Sequence, residues 1–385
     1  MNKNRDKSIV HISFDFPDSI NNNKTKAISN LINAQKEFKN IVFSLNRTAN
    51  PFADFNYKKE HYGYSLNIYG LPYGIGLRIW MYFAFKKIHK LISREKINVD
   101  LIHGHKLSFE GLISRNLSQE LSVPYIISVR GYTDFTAIKF SPFNRKLFLK
   151  ILQKSSKVIY LTPWSKDKVQ QIFSEKVSGK KSLILPNIII LNDITINTQE
   201  RFPDKFVTVF NLDSYKAKNI KRTILAMNIV HKKYPQLKLD IIGGGKSAKK
   251  IQSYIDTCTF PSNFALLGPM EHKKVLTQYC KYLGFLLPSF PETFGLVFIE
   301  ALYSGIPILY SRKSGVDGYF DDYQIGKKVK YDSVEDIASA IIKIYTENST
   351  YRKSIQELKE NNGFQKFSQN HITTEYSYLL QKLLN

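Results

Sequence analysis

Two glutamates, Glu292 and Glu300, lie eight residues apart in the segment that is richest in candidate chemistry. This segment, residues 282–311, reads YLGFLLPSFPETFGLVFIEALYSGIPILYS. An apolar run ends at Pro288, a more polar stretch follows, and Gly295 precedes a second apolar run. The order predicts a buried strand, a loop that carries Glu292, and a short helix that carries Glu300.

Each glutamate has a functional and a structural interpretation. Apolar residues surround Glu300 in the sequence, and a carboxylate in such a helix needs hydrogen-bond donors. Ribose hydroxyls would supply them, and so would a nearby loop that the glutamate caps. Glu292 either faces a ligand and accepts hydrogen bonds from sugar hydroxyls, or is a solvated loop carboxylate. The residues alone leave both pairs of alternatives open.

The start of the predicted helix is suited to an anion. Backbone amides at Gly295, Leu296 and Val297 have no partner within the helix, and they point toward its amino end. Because Gly295 has no side chain, a diphosphate can approach the backbone closely there. Ligands of parallel α/β sheets bind at the carboxyl ends of strands, which is where this loop must lie. The segment therefore predicts a site for a phosphate-bearing ligand.

Short apolar runs alternate with longer amphipathic stretches, and this βαβα order predicts an α/β protein with doubly wound parallel sheets. A length of 385 residues favours two domains. The alternation breaks at residues 186–204, so we place the boundary at 195, between domains 1–195 and 196–365. The predicted strands are residues 8–14, 40–45, 100–103, 125–129, 158–162, 207–211, 238–242, 265–267, 282–287 and 307–310.

The basic residues are concentrated in the first half of the chain. Residues 1–190 hold 30 Lys and Arg against 13 Asp and Glu, a net charge of +17, and the remainder holds 26 against 19, or +7. An anionic membrane surface, nucleic acid or simple solubility would each explain this charge. No nucleic-acid fold signature accompanies it, so no nucleic-acid partner is expected. Residues 75–97 predict either an interfacial helix that contacts anionic lipid, or an amphipathic helix with an aromatic core face.

The sequence has no apolar signal segment at its start and no run of about 18 uncharged apolar residues. Its two cysteines are too few for a disulfide framework. We therefore expect a cytoplasmic protein, peripheral on the inner face of the membrane if the basic half binds lipid. His103 and His105 share one strand face, but a metal site would need a third ligand that the sequence does not indicate. Gly244, in the GGG of KLDIIGGG, predicts a tight turn or a ligand contact.

Residues 288–307 also resemble the signature of the retaining GT-B glycosyltransferases of family 4, which reads roughly P-S-x-x-E-G-F-G-L-x-x-x-E-A-x-x-x-G-x-P. The resemblance implies two Rossmann-like domains that face each other across a cleft, with residues 366–385 as a closing helix on the first. It implies retaining transfer of a hexosyl unit from a nucleotide sugar to a glycan or lipid-linked acceptor, without a cofactor or metal. The matching residues are Pro288, Ser289, Glu292, Phe294, Gly295, Leu296, Glu300, Ala301, Gly305 and Pro307.

Other segments are similar to the family in the same order, including Asp100–His105 as DLIHGH, residues 130–134 as RGYTD, and Leu185–Asn187 as LPN. In the family the first glutamate contacts the donor sugar and the second holds the ribose. Carried over residue by residue, the resemblance implies three sets of site residues. The catalytic set is Glu292, Lys218 and Arg130; the donor set is Glu300, Phe294, Gly295, Leu296, Val297, Lys216 and Gly244; the acceptor set is His105 and Asp134.

Two departures from the family pattern keep other functions open. The first loop, residues 16–25, lacks the family's paired glycines, and Arg130 stands where the family has a histidine. Arginine is permanently charged and cannot shuttle a proton as histidine can. A catalytically silent glycan-binding or scaffold protein is therefore an alternative. A GT-B epimerase or phosphorylase is disfavoured by the spacing of the glutamates, and a nucleic-acid binder lacks a signature.

Overall fold

The structure is a computed structural model that describes residues 7–53, 55–71, 75–173, 177, 182–190 and 201–385. Contacts divide the chain into two units. The first unit comprises Met1–Ile188 with Gln369–Asn385, and the second comprises Ile189–Ser368. The boundary predicted at residue 195 lies outside the described residues. Each unit contains one mainly parallel sheet with helices, and this confirms the predicted α/β class.

The first unit contains an eight-stranded sheet in the order β3-β4-β2-β1-β5-β6-β7-β8, in which only the pair β3 and β4 is antiparallel. The central strands are buried along their whole length, as the continuous apolar runs predict for strands covered on both faces. The strands are β1 (Ser8–Ser13), β2 (Lys39–Thr48), β3 (Tyr57–Glu60), β4 (Gly63–Tyr69), β5 (Leu101–Gly104), β6 (Tyr125–Val129), β7 (Lys157–Tyr160) and β8 (Ser182–Ile184).

Two main hydrophobic clusters cover the faces of this sheet, beside a third that includes Phe16 and Val42. The larger cluster packs strand residues against α2, α3 and α5, and the smaller one includes Ile372, Tyr376 and Leu380 of the last helix. That helix begins three residues after the start predicted for the closing segment, and it belongs to the first unit. The helices are α1 (Ala27–Ala34), α2 (Leu77–Arg94), α3 (Phe109–Leu121), α4 (Tyr132–Phe140), α5 (Arg145–Lys154), α6 (Pro163–Phe173) and α13 (Gln369–Leu384).

The second unit contains a six-stranded parallel sheet in the order β11-β10-β9-β12-β13-β14. Its strands are β9 (Lys205–Val209), β10 (Lys238–Ile242), β11 (Phe264–Gly268), β12 (Phe285–Leu287), β13 (Ile308–Ser311) and β14 (Gly326–Val329). Its helices are α7 (Ile220–His231), α8 (Ala248–Asp256), α9 (His272–Tyr279), α10 (Leu296–Tyr303), α11 (Val334–Thr346) and α12 (Asn348–Glu360). Among the described helices of either unit, none combines the length and apolar composition needed to cross a bilayer.

Candidate active site

The two catalytic side chains predicted in the second unit follow neighbouring strands of its sheet. Lys218 lies in the loop after β9, and Glu292 lies in the loop after β12. From β9 the chain continues to β10 on one side, and β12 lies on the other side. The carboxyl ends of β9 and β12 therefore flank the topological switch point, which is where parallel α/β sheets bind ligands.

The structure brings Lys218 and Glu292 into direct contact. Lys218 Nζ donates to Glu292 Oε2 at 2.5 Å, and Ser289 Oγ donates to the same oxygen at 3.2 Å. The lysine side chain is 22% exposed and the glutamate 12%, so the pair is partly shielded from water yet open at the surface. Lys216, the other candidate lysine, is exposed and its Nζ lies 5.9 Å from the Tyr215 ring centroid. The geometry therefore favours Lys218 as the lysine beside Glu292.

Asn219 fixes the position of Lys218, and the sequence analysis did not identify it. Its φ of 60° is left-handed, a conformation that asparagine tolerates better than most residues. Its side-chain amide donates to the carbonyl oxygens of Pro288 at 3.1 Å and Tyr331 at 2.6 Å. The sequence does contain a signal for Asn219, because asparagine is common directly before the first turn of a helix. Asn219 thus ties the loop that carries Lys218 to the loop that carries Glu292.

The start of α10 has the conformation that the sequence predicted. Gly295 precedes the helix with a φ of 75°, and an added Cβ there would lie 2.4 Å from Phe298 Cδ2. Any larger residue would be strained and would clash. Leu296 is exposed and Val297 is half-buried, so the helix start is open to solvent. The unpaired amides at this end provide partial positive charge beside Lys218 and Glu292.

Glu300 is nearly buried on α10 and has a partner that the sequence analysis did not name. Its Oε1 lies 3.0 Å from Nε2 of His272, the first residue of α9. Burial raises the pKa of Glu300, and the hydrogen bond and charge of His272 partly offset this rise. The imidazole is largely exposed, so the pair reaches the surface. The glutamate is therefore satisfied within the protein and still accessible to a competing donor.

Two of the predicted donor residues have structural roles. The Phe294 ring is buried and packs edge-on against Tyr319 at 5.9 Å, so it supports the loop. The Gly244 carbonyl accepts from the Leu212 N–H at 2.9 Å. At Gly243 an added Cβ would lie 1.9 Å from the Phe210 oxygen. The glycine run therefore forms a turn that packs closely against the loop after β9.

In the first unit the predicted acceptor residues are buried and follow neighbouring strands, His105 directly after β5 and Asp134 in α4 after β6. Asp134 accepts from the backbone N–H groups of Leu107, Ser108 and Arg130 at 2.9–3.2 Å, and it has no exposed surface. Burial raises the pKa of Asp134 to about 6, although these hydrogen bonds act against the rise. Arg130 is half-buried, and its Nη2 donates to Asn187 Oδ1 at 2.8 Å. Asp134 therefore positions the segments that carry the other candidates.

His105 belongs to a buried histidine cluster with His11 and His103, and one ring nitrogen of each lies within 4.8 Å of the others. His11 is thus the third potential ligand that the sequence analysis of His103 and His105 did not identify. Hydrogen bonds already engage this cluster: His11 Nδ1 lies 3.1 Å from His105 Nε2, and the two His103 nitrogens lie 2.6 Å from Tyr376 Oη and 2.8 Å from Ser128 Oγ.

Electrostatics keep the three histidines of this cluster uncharged. Burial lowers the pKa of all three imidazoles, that of His11 to about 4, and the positive charge of Arg130 lowers those of His103 and His105 further. The three rings are therefore neutral at ordinary pH. The cluster is therefore a network of neutral, hydrogen-bonded histidines.

The comparisons with known proteins agree with this geometry. Residues 193–361 match the family model described as glycosyl transferases group 1. An uncharacterized glycosyltransferase of Methanocaldococcus jannaschii is 24% identical over 281 residues, which is 71% of this chain and 75% of that protein. The alpha-monoglucosyldiacylglycerol synthase of Acholeplasma laidlawii is 23% identical over 269 residues, which is 65% of this chain and 67% of that protein.

A solved structure supports the fold across the whole length. The Anabaena protein HepE, solved in complex with UDP, superposes with a TM-score of 0.67 at 15% identity, covering 98% of this chain and 100% of that one. At this identity the likeness shows the fold alone. The family match spans the segment that contains Glu292, Gly295 and Glu300. Residues 193–361 therefore match glycosyl transferases group 1, and the chain is a glycosyltransferase with the GT-B fold.

Proposed function

We propose that the protein transfers a hexosyl unit, with retention, from a nucleotide sugar to a glycan or lipid-linked glycan in the synthesis of a cell-surface polysaccharide. The observation that carries this proposal is the contact between Lys218 and Glu292 at the switch point, beside the start of α10. A cation, a carboxylate and free amides at one place suit a sugar attached to a diphosphate.

Each group has a role in the proposed reaction. The bond between sugar C1 and the diphosphate breaks, and its electron pair stays on the diphosphate. Lys218 and the amides at Gly295 and Leu296 stabilise that charge. The acceptor oxygen bonds to C1 on the same face, and its proton passes to the departing diphosphate. Glu292 positions the donor sugar, and no protein carboxylate is required as a covalent nucleophile.

The ribose role of Glu300 predicts a loss of nucleotide affinity on substitution. Glu300→Gln is expected to weaken binding of the preferred nucleotide, chosen from UDP, GDP and ADP, by about 10–150-fold. This range corresponds to the roughly 1.5–3 kcal/mol of hydrogen bonds to a charged group. Calorimetry with the free diphosphate measures the effect, and circular dichroism checks the fold.

His272 provides the matched control for this experiment. His272→Ala removes the partner that Glu300 has within the protein, but it leaves the carboxylate for a ribose. We expect this variant to keep its nucleotide affinity within about threefold. If both variants bind the nucleotide as the wild type does, Glu300 serves only to hold α9 against α10.

Exposed apolar residues of the first unit form what we call the aromatic patch. Arg78 of α2 donates to the Phe143 carbonyl at 3.0 Å and to Asn144, which places the first turn of α2 beside the short helix Pro142–Asn144. Lys86 and Lys90 on α2 are exposed as well. Apolar rings and cations on one basic unit suit an anionic lipid surface. The patch residues, each 48–92% exposed, are Ile75, Ile79, Tyr82, Phe83, Phe140 and Phe143.

We expect the protein to bind vesicles that contain phosphatidylglycerol, to be released by high salt, and to ignore neutral phosphatidylcholine vesicles. Each cation near the surface contributes about 1 kcal/mol, so Lys86→Glu with Lys90→Glu should reduce the bound fraction severalfold in a flotation assay. Lys87 is omitted because its Nζ donates to the Phe55 carbonyl. Reversal of the exposed Lys232 and Lys233 in the second unit is the control. Equal recovery with both vesicle types would mean that the charge serves solubility.

A further inference from the structure

We propose that Asp15, held by Lys106, binds a hydroxyl group of the acceptor sugar while the sugar ring packs on Phe14 and Phe109. The proposal rests on the proposed function, because it assigns the acceptor of that reaction to a place in the first unit. Neither Asp15 nor Phe109 belongs to the family signature, and the sequence analysis gave neither of them a role.

The topology places Asp15 and Lys106 at the switch point of the first sheet. From β1 the chain continues to β2 on one side, and β5 lies on the other side of β1. Asp15 follows β1 by two residues, and Lys106 follows β5 by two residues. This is the position that Lys218 and Glu292 occupy in the second sheet. Each unit therefore has a lysine–carboxylate pair where parallel sheets bind ligands.

Exposure distinguishes the two members of this pair. Lys106 Nζ donates to Asp15 Oδ1 at 2.7 Å, and the lysine side chain is only 11% exposed, whereas the aspartate is 30% exposed. Within the described part of the chain, Asp15 Oδ2 has no hydrogen-bond partner. The lysine thus lies beneath the carboxylate and fixes its orientation. The oxygen that remains can accept a hydrogen bond from a sugar hydroxyl.

A third charged group lies below the pair. Glu110 on α3 is fully buried, and its Oε1 accepts from the Phe14 N–H at 3.1 Å, which anchors the segment before Asp15. Its Oε2 has no partner among the described residues. Burial raises the pKa of Glu110 to about 7, and the charge of Lys106 acts against this rise. Such a buried, incompletely satisfied group is costly, and groups of this kind concentrate at functional sites. Glu110 is a positioning residue for the Asp15 segment.

Two aromatic residues are close to the ion pair in sequence: Phe14 directly precedes Asp15, and Phe109 lies three residues after Lys106. Phe14 and Phe109 are half-buried, and their centroids lie 5.7 Å apart at an angle of 58°. The exposed Arg47 places its guanidinium carbon 5.9 Å from the Phe109 centroid. A pyranose has an apolar C–H face and a rim of hydroxyls, so it can pack on such rings while a hydroxyl reaches Asp15. The surface therefore fits a neutral sugar ring.

The test uses the full chain saturated with its preferred nucleotide diphosphate. Methyl β-glucoside, methyl β-galactoside and methyl N-acetyl-β-glucosaminide are titrated as probes and followed by ligand-observed NMR. We expect saturable binding of at least one probe by the wild type. Asp15→Asn should weaken that binding at least 10-fold and leave nucleotide affinity unchanged. Asp167→Asn, at an exposed aspartate of the same unit, is the matched control and should bind as the wild type does.

A second variant keeps the test decisive if Asp15→Asn does not fold. Phe109→Leu leaves the ion pair intact and should also weaken the probe at least fivefold, whereas Phe109→Tyr should restore it. The inference is overturned if no probe binds the wild type, or if Asp15→Asn and Phe109→Leu both bind as the wild type does. A chain that binds no nucleotide diphosphate would instead overturn the proposed function, so the two failures are distinguishable.

Discussion

Replacing Glu292 with glutamine is expected to lower the rate of sugar transfer about 100-fold or more, with little change in nucleotide affinity. Glutamine keeps an oxygen that can accept from the Thr293 N–H, as Glu292 Oε1 does at 3.1 Å. It cannot oppose the charge of Lys218, whose Nζ lies 2.5 Å from Glu292 Oε2. Loss of one preorganised electrostatic group typically costs 10²–10³-fold in turnover. Release of nucleotide diphosphate measures the rate, and calorimetry measures binding.

An ion pair at the opposite edge of the same sheet provides the control for Glu292→Gln. Asp204 precedes β9 and its Oδ2 lies 3.1 Å from Nζ of Lys238, the first residue of β10. Asp204→Asn should leave both turnover and nucleotide affinity near wild type. Turnover of Glu292→Gln within about threefold of wild type would remove Glu292 from the reaction. A parallel loss of nucleotide affinity would show that the substitution disturbs the whole loop.

The central strands were predictable because they are apolar along their whole length. The strands at residues 125–129 and 238–242 were predicted with the bounds that the structure has, and the others differ by at most three residues at either end. The sequence analysis missed β3, β4, β8 and β14. Three of them, β3, β8 and β14, lie at sheet edges, and β3 and β14 contain paired lysines, which are common where an edge must not pair with another chain. Such residues do not produce an apolar run.

The site was predictable where its residues are close in sequence. Gly295 and the two glutamates lie in one segment, whose strand–loop–helix order follows from local patterns. The partners from other elements were not predictable in this way. His272 contacts Glu300 from 28 residues away, and His11 meets His105 from 94 residues away. Such pairs are set by the order of strands in the sheet, which a single sequence does not specify.

The histidine cluster predicts a measurable loss of stability in acid. His11 has a pKa of about 4 in the folded chain because it is buried, against 6.5 for an ordinary histidine. Between these values the unfolded chain binds a proton that the folded chain does not, so the free energy of unfolding falls as pH falls below 6.5. At pH 5 this difference amounts to about 2 kcal/mol for His11, at 1.36 kcal/mol per pKa unit.

Two buried carboxyl groups of the same unit act in the opposite direction. Burial raises the pKa of Glu110 to about 7 and that of Asp134 to about 6. The folded chain therefore gains their protons at a higher pH than the unfolded chain does, and this stabilises it as pH falls through 7 toward 4. The pH dependence of the wild type alone would combine both effects. A comparison of the wild type with His11→Gln isolates the histidine.

We expect His11→Gln to be less stable than wild type at pH 8, where it loses packing, and to recover about 2 kcal/mol of that deficit at pH 5. The chain has two tryptophans, Trp80 and Trp164, and both lie in the first unit, so their fluorescence during urea unfolding reports on that unit alone. His61→Gln, at an exposed histidine of the same unit, is the matched control. A deficit for His11→Gln that stays constant from pH 8 to pH 5 would mean that folding does not lower the pKa of His11, and the neutral hydrogen-bonded network would be wrong.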